Sequence, residues 1–234
     1  MARRTKEDAA VTREQLLDAA ERAFCEHGAT RTSLTEVAVA AGVTRGAVYW
    51  HFRDKSDLLS AICERATLPL ENSLERAGTT VQEDPLGTLR TLMIAALVRL
   101  ASDPRSQAVF EVLFFKSELT AELAPIAERC RAQRSGCLVN VTRLLRQAVV
   151  AQQLPRDTDT TLAAFALHGC ISGLMREWVL DKRAFDLAAA AQPLVEMIVA
   201  GLRADPPRCA DRVRPRVRPR TCASSAKTPT RVPS

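Results

Sequence analysis

The chain has 234 residues, 47% hydrophobic and 26% charged, an ordinary balance for a soluble globular protein with a sizeable core. This composition excludes fibrous, collagen-like and wholly disordered chains, and the longest uncharged run, Thr160 to Met175, is too short to span a bilayer. The formal net charge of +6 is misleading, because residues 206–234 alone carry eight basic groups and one acid, a net of +7, leaving 1–205 at −1. Local motifs, not bulk charge, must therefore carry any nucleic-acid argument.

No apolar segment follows the basic N-terminus, so no secretory signal is expected. The seven cysteines contain no C-x-x-C pair. They read as free, mostly buried thiols in a reducing cytoplasm, with no zinc site and no disulfide framework.

Apolar spacing is helical almost throughout. From Thr12 to His27, Leu16, Ala20, Ala23 and Phe24 line one face, and Gly28 ends the helix. A second helix is expected over 34–41, with Ser33 as N-cap, Glu36 completing a capping box and Gly42 as the stop. A third runs from about Thr44 to His51. A fourth starts near Asp54–Ser56, and Pro69 should kink or break it. After a polar stretch over 79–84, helices are expected at about 85–102, 105–117, 120–152, 157–180 and 186–204. Beyond Asp205, Pro, Arg, Ser and Thr dominate, which predicts a basic disordered tail.

Residues 33–52 read as helix, glycine turn, helix. Val37, Ala38, Ala41, Val43, Ala47 and Val48 suit a steep helix crossing, and Gly42 suits the turn. The second helix presents Thr44, Arg45, Tyr49, Trp50 and His51, groups able to reach phosphates and base edges. The glycine turn alone is a weak signal. A short helix exposing Tyr, Trp and Arg together is a stronger one.

At these residues the sequence resembles the TetR family of bacterial repressors. The matching pieces are Arg3-Arg4-Thr5-Lys6-Glu7, Thr12-Arg13 with Leu16-Leu17-Asp18-Ala19-Ala20, Phe24 with Gly28, and the run from Ala40 to Leu59. Further pieces lie at Asp84-Pro85-Leu86, at 111–118 and at 171–178. The resemblance covers about residues 1–204, and within the family it is nearest to the AcrR/TtgR-like group of multidrug efflux regulators.

The resemblance implies an all-α fold. A three-helix helix-turn-helix head would occupy 1–56, an effector-binding and dimerisation domain 57–204, and the basic tail 205–234. It implies roles for Ser33, Thr35 and Lys55 at phosphates, for Thr44, Arg45 and Gly46 in the major groove, and for Tyr49, Trp50 and His51 at phosphates or bases. The implied partners are a double-stranded DNA operator, a hydrophobic small-molecule effector and a second copy of the chain, with no cofactor and no membrane. The effector pocket would draw on Leu89, Leu92, Met93, Phe110, Phe114, Cys137, Val141, His168, Ile171, Ser172 and Arg176. Glu111 and Glu118 could offer charge to a cationic ligand or simply face water.

Two other classes are open at this point. An enzyme is disfavoured because His27, His51 and His168 fall in no nucleophile–base or metal spacing and no phosphate-binding glycine motif occurs. A regulator of a metabolic or stress operon, or a DNA-binding protein without an effector, would need the same head. For dimerisation, Leu162, Phe165, Ala166, Gly169 and Gly173 on one helix and Leu187, Leu194, Val195, Ile198 and Leu202 on the next would form a four-helix bundle across a two-fold axis.

Overall fold

A computed structural model describes residues 2–28, 31–116 and 124–209. In chain order the elements are α1 (Ala2–His27), α2 (Leu34–Ala41), α3 (Arg45–His51), α4 (Lys55–Thr79), α5 (Pro85–Ser102), α6 (Pro104–Glu111), a π-helical turn (Val112–Lys116), α7 (Ala124–Val150), α8 (Thr160–Leu180) and α9 (Leu187–Ala204). No strand occurs among the described residues.

Local chemistry sets the helix ends. The Ser33 side chain accepts from the Glu36 N–H at 3.2 Å while the Ser33 N–H donates to the Glu36 carboxylate at 2.6 Å, a complete capping box. Gly42 closes α2 at φ +67°, the left-handed conformation that favours glycine. Aspartates at 54, 84, 103, 159 and 186 cap α4, α5, α6, α8 and α9.

Two cores form. The first packs Leu16, Leu17, Phe24, Val37, Val48 and Phe52 against Leu58, Leu59, Ile62 and Cys63 of α4, with Val109 and Val112 closing it. The second gathers Leu86, Leu97, Leu144, Leu145, Leu167, Trp178, Ala191 and Val195 from α5, α7, α8 and α9. The domain division expected at residue 56 therefore meets a continuous helix. The early turns of α4 belong to the head and its later turns to the second core. Pro69 does not break this helix, although it removes one backbone donor, because packing on both sides sustains the pattern.

Gly78 of α4 packs closely against Asn140 of α7. A Cβ there would lie 3.0 Å from the Asn140 side chain. Among the described residues two helices, α5 and α9, are long and apolar enough to cross a membrane, with mean hydropathy 1.2 and 1.3. Here they pack on one another in the second core, and the Arg90–Glu196 ion pair bridges them.

Residues 206–209 correct the expectation of a tail starting at Asp205. The Asp159 N–H donates to the Pro207 carbonyl at 2.7 Å and the Cys209 N–H to the Asp157 carbonyl at 2.8 Å. Pro206 is buried, and Arg208 pairs with Asp157. This segment carries apolar and backbone partners that its composition does not advertise. The basic run over 210–234 lies outside the described residues.

Candidate functional site: nucleic-acid face and internal cavity

On the outer side of the head, Ser33, Thr35, Arg45, Tyr49 and Lys55 line one groove of about 420 Å³. Arg31 and Arg53 line it too. Neither was singled out from sequence, because each lies just outside the helix-turn-helix residues that drew attention. Arg45 and Tyr49 face one another across one turn of α3, with Arg45 Nη2 donating to the Tyr49 hydroxyl at 3.3 Å and the guanidinium 5.4 Å from the ring centre. Arg53 is exposed and its Nε lies 3.4 Å from Asp57. Lys55 is only 8% exposed, although it lines the groove.

The remaining head residues expected at DNA do not line this groove. Thr44 is exposed and caps α3 by accepting from the Ala47 N–H at 3.2 Å. Gly46 is exposed. Trp50 is 73% exposed, an unusual position for an indole, while its neighbour Phe52 is buried beneath Arg13. His51 is half-buried, and burial together with Arg13 holds its pKa below the usual histidine value. The arrangement gives a helix edge with guanidinium, phenol, indole and hydroxyl groups turned outward, suited to docking on a polyanion.

Behind the head lies a cavity of about 660 Å³ between α4, α5, α6, α7 and α8. Ten of the eleven residues expected in a pocket line it: Leu89, Leu92, Met93, Phe110, Phe114, Cys137, Val141, His168, Ile171 and Ser172. The Phe110 and Phe114 rings stand 5.4 Å apart, as their four-residue spacing requires. Arg176 is exposed and is not among the residues that line the cavity. Glu111 is paired with Lys182 at 3.7 Å on the outside, and Glu118 lies outside the described residues.

Sequence reasoning missed the α4 wall, which includes Thr67, Leu70, Glu71 and Leu74, and it missed Arg99 on α5. Polar groups are few. His168 Nδ1 lies 3.3 Å from the Ser172 hydroxyl, and burial, with Arg134 nearby, lowers the imidazole pKa so that it is neutral at pH 7. Burial pushes the Cys137 thiol up to about 11, so this group is uncharged too. Among the described residues no group of three or more His, Cys, Asp or Glu side chains converges to hold a metal ion.

Comparison with known proteins fits this two-part layout. Residues 16–62 match the bacterial regulatory proteins of the tetR family, and residues 84–203 match the C-terminal region of MAATS-type transcriptional repressors. The chain belongs to the TetR family. It is a transcriptional regulator and not an enzyme. Among TetR-family relatives, it is 40% identical over 207 residues to the HTH-type transcriptional regulator AcrR of Shigella flexneri, covering 85% of this chain and 93% of that one. NalD, the secondary repressor of the MexAB-OprM multidrug efflux pump in Pseudomonas aeruginosa, superposes with a TM-score of 0.75 at 35% identity over 83% of this chain and 97% of NalD. SmeT, the repressor of the Stenotrophomonas maltophilia efflux pump SmeDEF, in its triclosan complex gives 0.74 at 36% identity over 82% and 91%.

Proposed function

We propose that this TetR-family regulator is a cytoplasmic homodimer that represses a multidrug efflux operon and leaves its operator when a hydrophobic compound fills the cavity. The observation that carries the reading is the pairing of an outward-facing Arg45–Tyr49–Trp50 edge with a large apolar cavity in the adjoining domain. The efflux assignment draws on NalD and SmeT, whose targets are efflux pumps and one of which holds triclosan.

DNA contact falls to Ser33, Thr35, Thr44, Arg45, Gly46, Tyr49, Trp50 and His51, with Lys55 as a buried backing charge. Two heads reading half-sites of a near-palindrome require a two-fold partner about one helical turn, roughly 34–36 Å, away or a multiple of it. The face that supports such pairing is the outer side of α8 and α9. Leu162 and Phe165 are 53% and 45% exposed, Met197 is 65% exposed, and Gly169, Gly173 and Gly201 have open space where a side chain would stand. Leu187, Val195 and Leu202, by contrast, are taken up in the chain's own core, so they support the face from beneath. Effector contacts fall to the cavity lining given above, without Arg176.

Sedimentation of the protein alone and with a duplex from its own upstream region tests the reading. A dimer that shifts that duplex is expected. A monomer at micromolar concentration that ignores the duplex contradicts it.

A further inference from the structure

Most polar side chains around the cavity are already engaged. Glu71 accepts from Gln133, Ser172 meets His168, and Ser106 donates to Asp103 at 2.6 Å. Glu75 and Arg134 are exposed residues at the rim, and Arg134 lies over the Phe165 ring.

Arg99 differs. Its guanidinium donates no hydrogen bond among the described residues, and its Nε is buried without a partner. Its Nη2 forms an ion pair with Asp103 at 3.9 Å, too long for a hydrogen bond, and its side chain is 39% exposed. Asp103 is already engaged elsewhere, since it accepts from the N–H groups of Arg105 and Ser106 and from the Ser106 hydroxyl. An arginine carries five donors and keeps its charge at every accessible pH. Here those donors border a cavity whose surrounding walls are Ala96, Leu100, Phe110 and Ala66. A buried Nε–H without an acceptor is costly, and the oxygen of an anion entering the cavity would supply one.

We infer that Arg99 is an anion-recognising group of the effector cavity, and that effectors include hydrophobic acids whose carboxylate docks on its guanidinium while the body lies against Phe110 and Phe114. This rests on the effector reading above. Arg99 also lines a smaller cavity with Glu21, Arg65, Asp103 and Arg105, where the head meets the second domain. An acid held there sits at the junction between the two cores.

The test uses full-length protein and two probes, naphthalene carboxylate and the matching carboxamide, measured by calorimetry. The carboxylate is expected to bind at least about tenfold more tightly, the scale of one charge-assisted hydrogen bond. Arg99→Gln should erase that preference while leaving carboxamide affinity in place, and Arg134→Gln should leave the preference intact. Equal binding of both probes to the wild-type protein, or a preference that survives Arg99→Gln, overturns the role of Arg99 but leaves the cavity as an effector site. Failure of both probes to bind overturns the cavity reading as well. If Arg99→Gln does not fold, Arg99→Lys and Arg99→Met take its place, the first expected to keep the preference and the second to erase it.

Discussion

Arg105 on α6 lies 3.1 Å from Asp18 on α1, joining the cavity-bearing part of the molecule to the head. Asp18 also accepts from Arg65 of α4 at 2.9 Å, and the same Arg65 reaches Glu14 and the buried Glu21. Burial raises the Glu21 pKa, and the Arg65 hydrogen bond and charge pull against that rise. Three helices thus share one charged hub at the place where movement of α4 or α6 would be felt by α1.

Breaking the outer arm of this hub separates coupling from stability. Arg105 is 56% exposed, so Arg105→Ala should cost less than about 1 kcal/mol of unfolding free energy. The expected signature is a severalfold weaker effect of a cavity ligand on DNA affinity, with cavity affinity in the absence of DNA unchanged. Chemical denaturation and paired DNA titrations with and without ligand measure both quantities.

The Arg45–Tyr49 pair makes a second expectation. Arg45→Ala should lower operator affinity by roughly 1–3 kcal/mol if the guanidinium reads a base edge. Tyr49→Phe keeps the ring beneath Arg45 and removes only the hydroxyl, so its loss should be smaller. Fluorescence anisotropy at several salt concentrations distinguishes the roles. A base reader alters sequence preference, whereas a phosphate contact alters the salt slope.

Features written into a few neighbouring residues were legible in the sequence. Ser33, Glu36 and Gly42 fix both ends of α2, and the expected 34–41 is the observed span. Phe110 and Phe114 share a wall because four residues make one turn. Features that depend on the whole assembly were not legible. The residues before Thr12 lack an apolar stripe, yet α1 begins at Ala2. The π-helical turn at Val112–Lys116 has no residue signature that separates it from ordinary helix. The later turns of α4 face the cavity while its early turns fill the head core, and a single apolar stripe does not reveal two destinations. Arg99 carries no local signature in the sequence, because only the packed neighbours show that it borders a cavity.

His168 supplies a pH dependence. Its folded pKa lies below the ordinary histidine value of 6.5 because burial and Arg134 disfavour the imidazolium. The folded state therefore binds this proton less readily than the unfolded chain. The associated stability is complete above the unfolded pKa and is lost as pH falls through about 6.5 toward the folded value. His168→Gln should flatten the fall in melting temperature across that window. An imidazole titration by NMR should give a midpoint below that of a free histidine.

The segment after α9 separates two truncations. A chain ending at Cys209 keeps the hydrogen bonds to Asp157 and Asp159, whereas one ending at Asp205 loses both. The shorter chain should be less stable by roughly 1–3 kcal/mol, two backbone hydrogen bonds' worth. Urea midpoints of the two truncated proteins and the full chain provide the measurement.

The central claim, that filling the cavity releases DNA, is tested most directly by titrating triclosan into a preformed complex of the full-length protein with its upstream duplex, followed by anisotropy. Release is predicted, with operator affinity falling at least about tenfold, which needs about 1.4 kcal/mol of preference for the unbound head spacing. Replacing Phe110 and Phe114 together by Ala should weaken that response while leaving ligand-free DNA binding intact. Triclosan that binds the protein and leaves operator affinity unchanged would contradict the account.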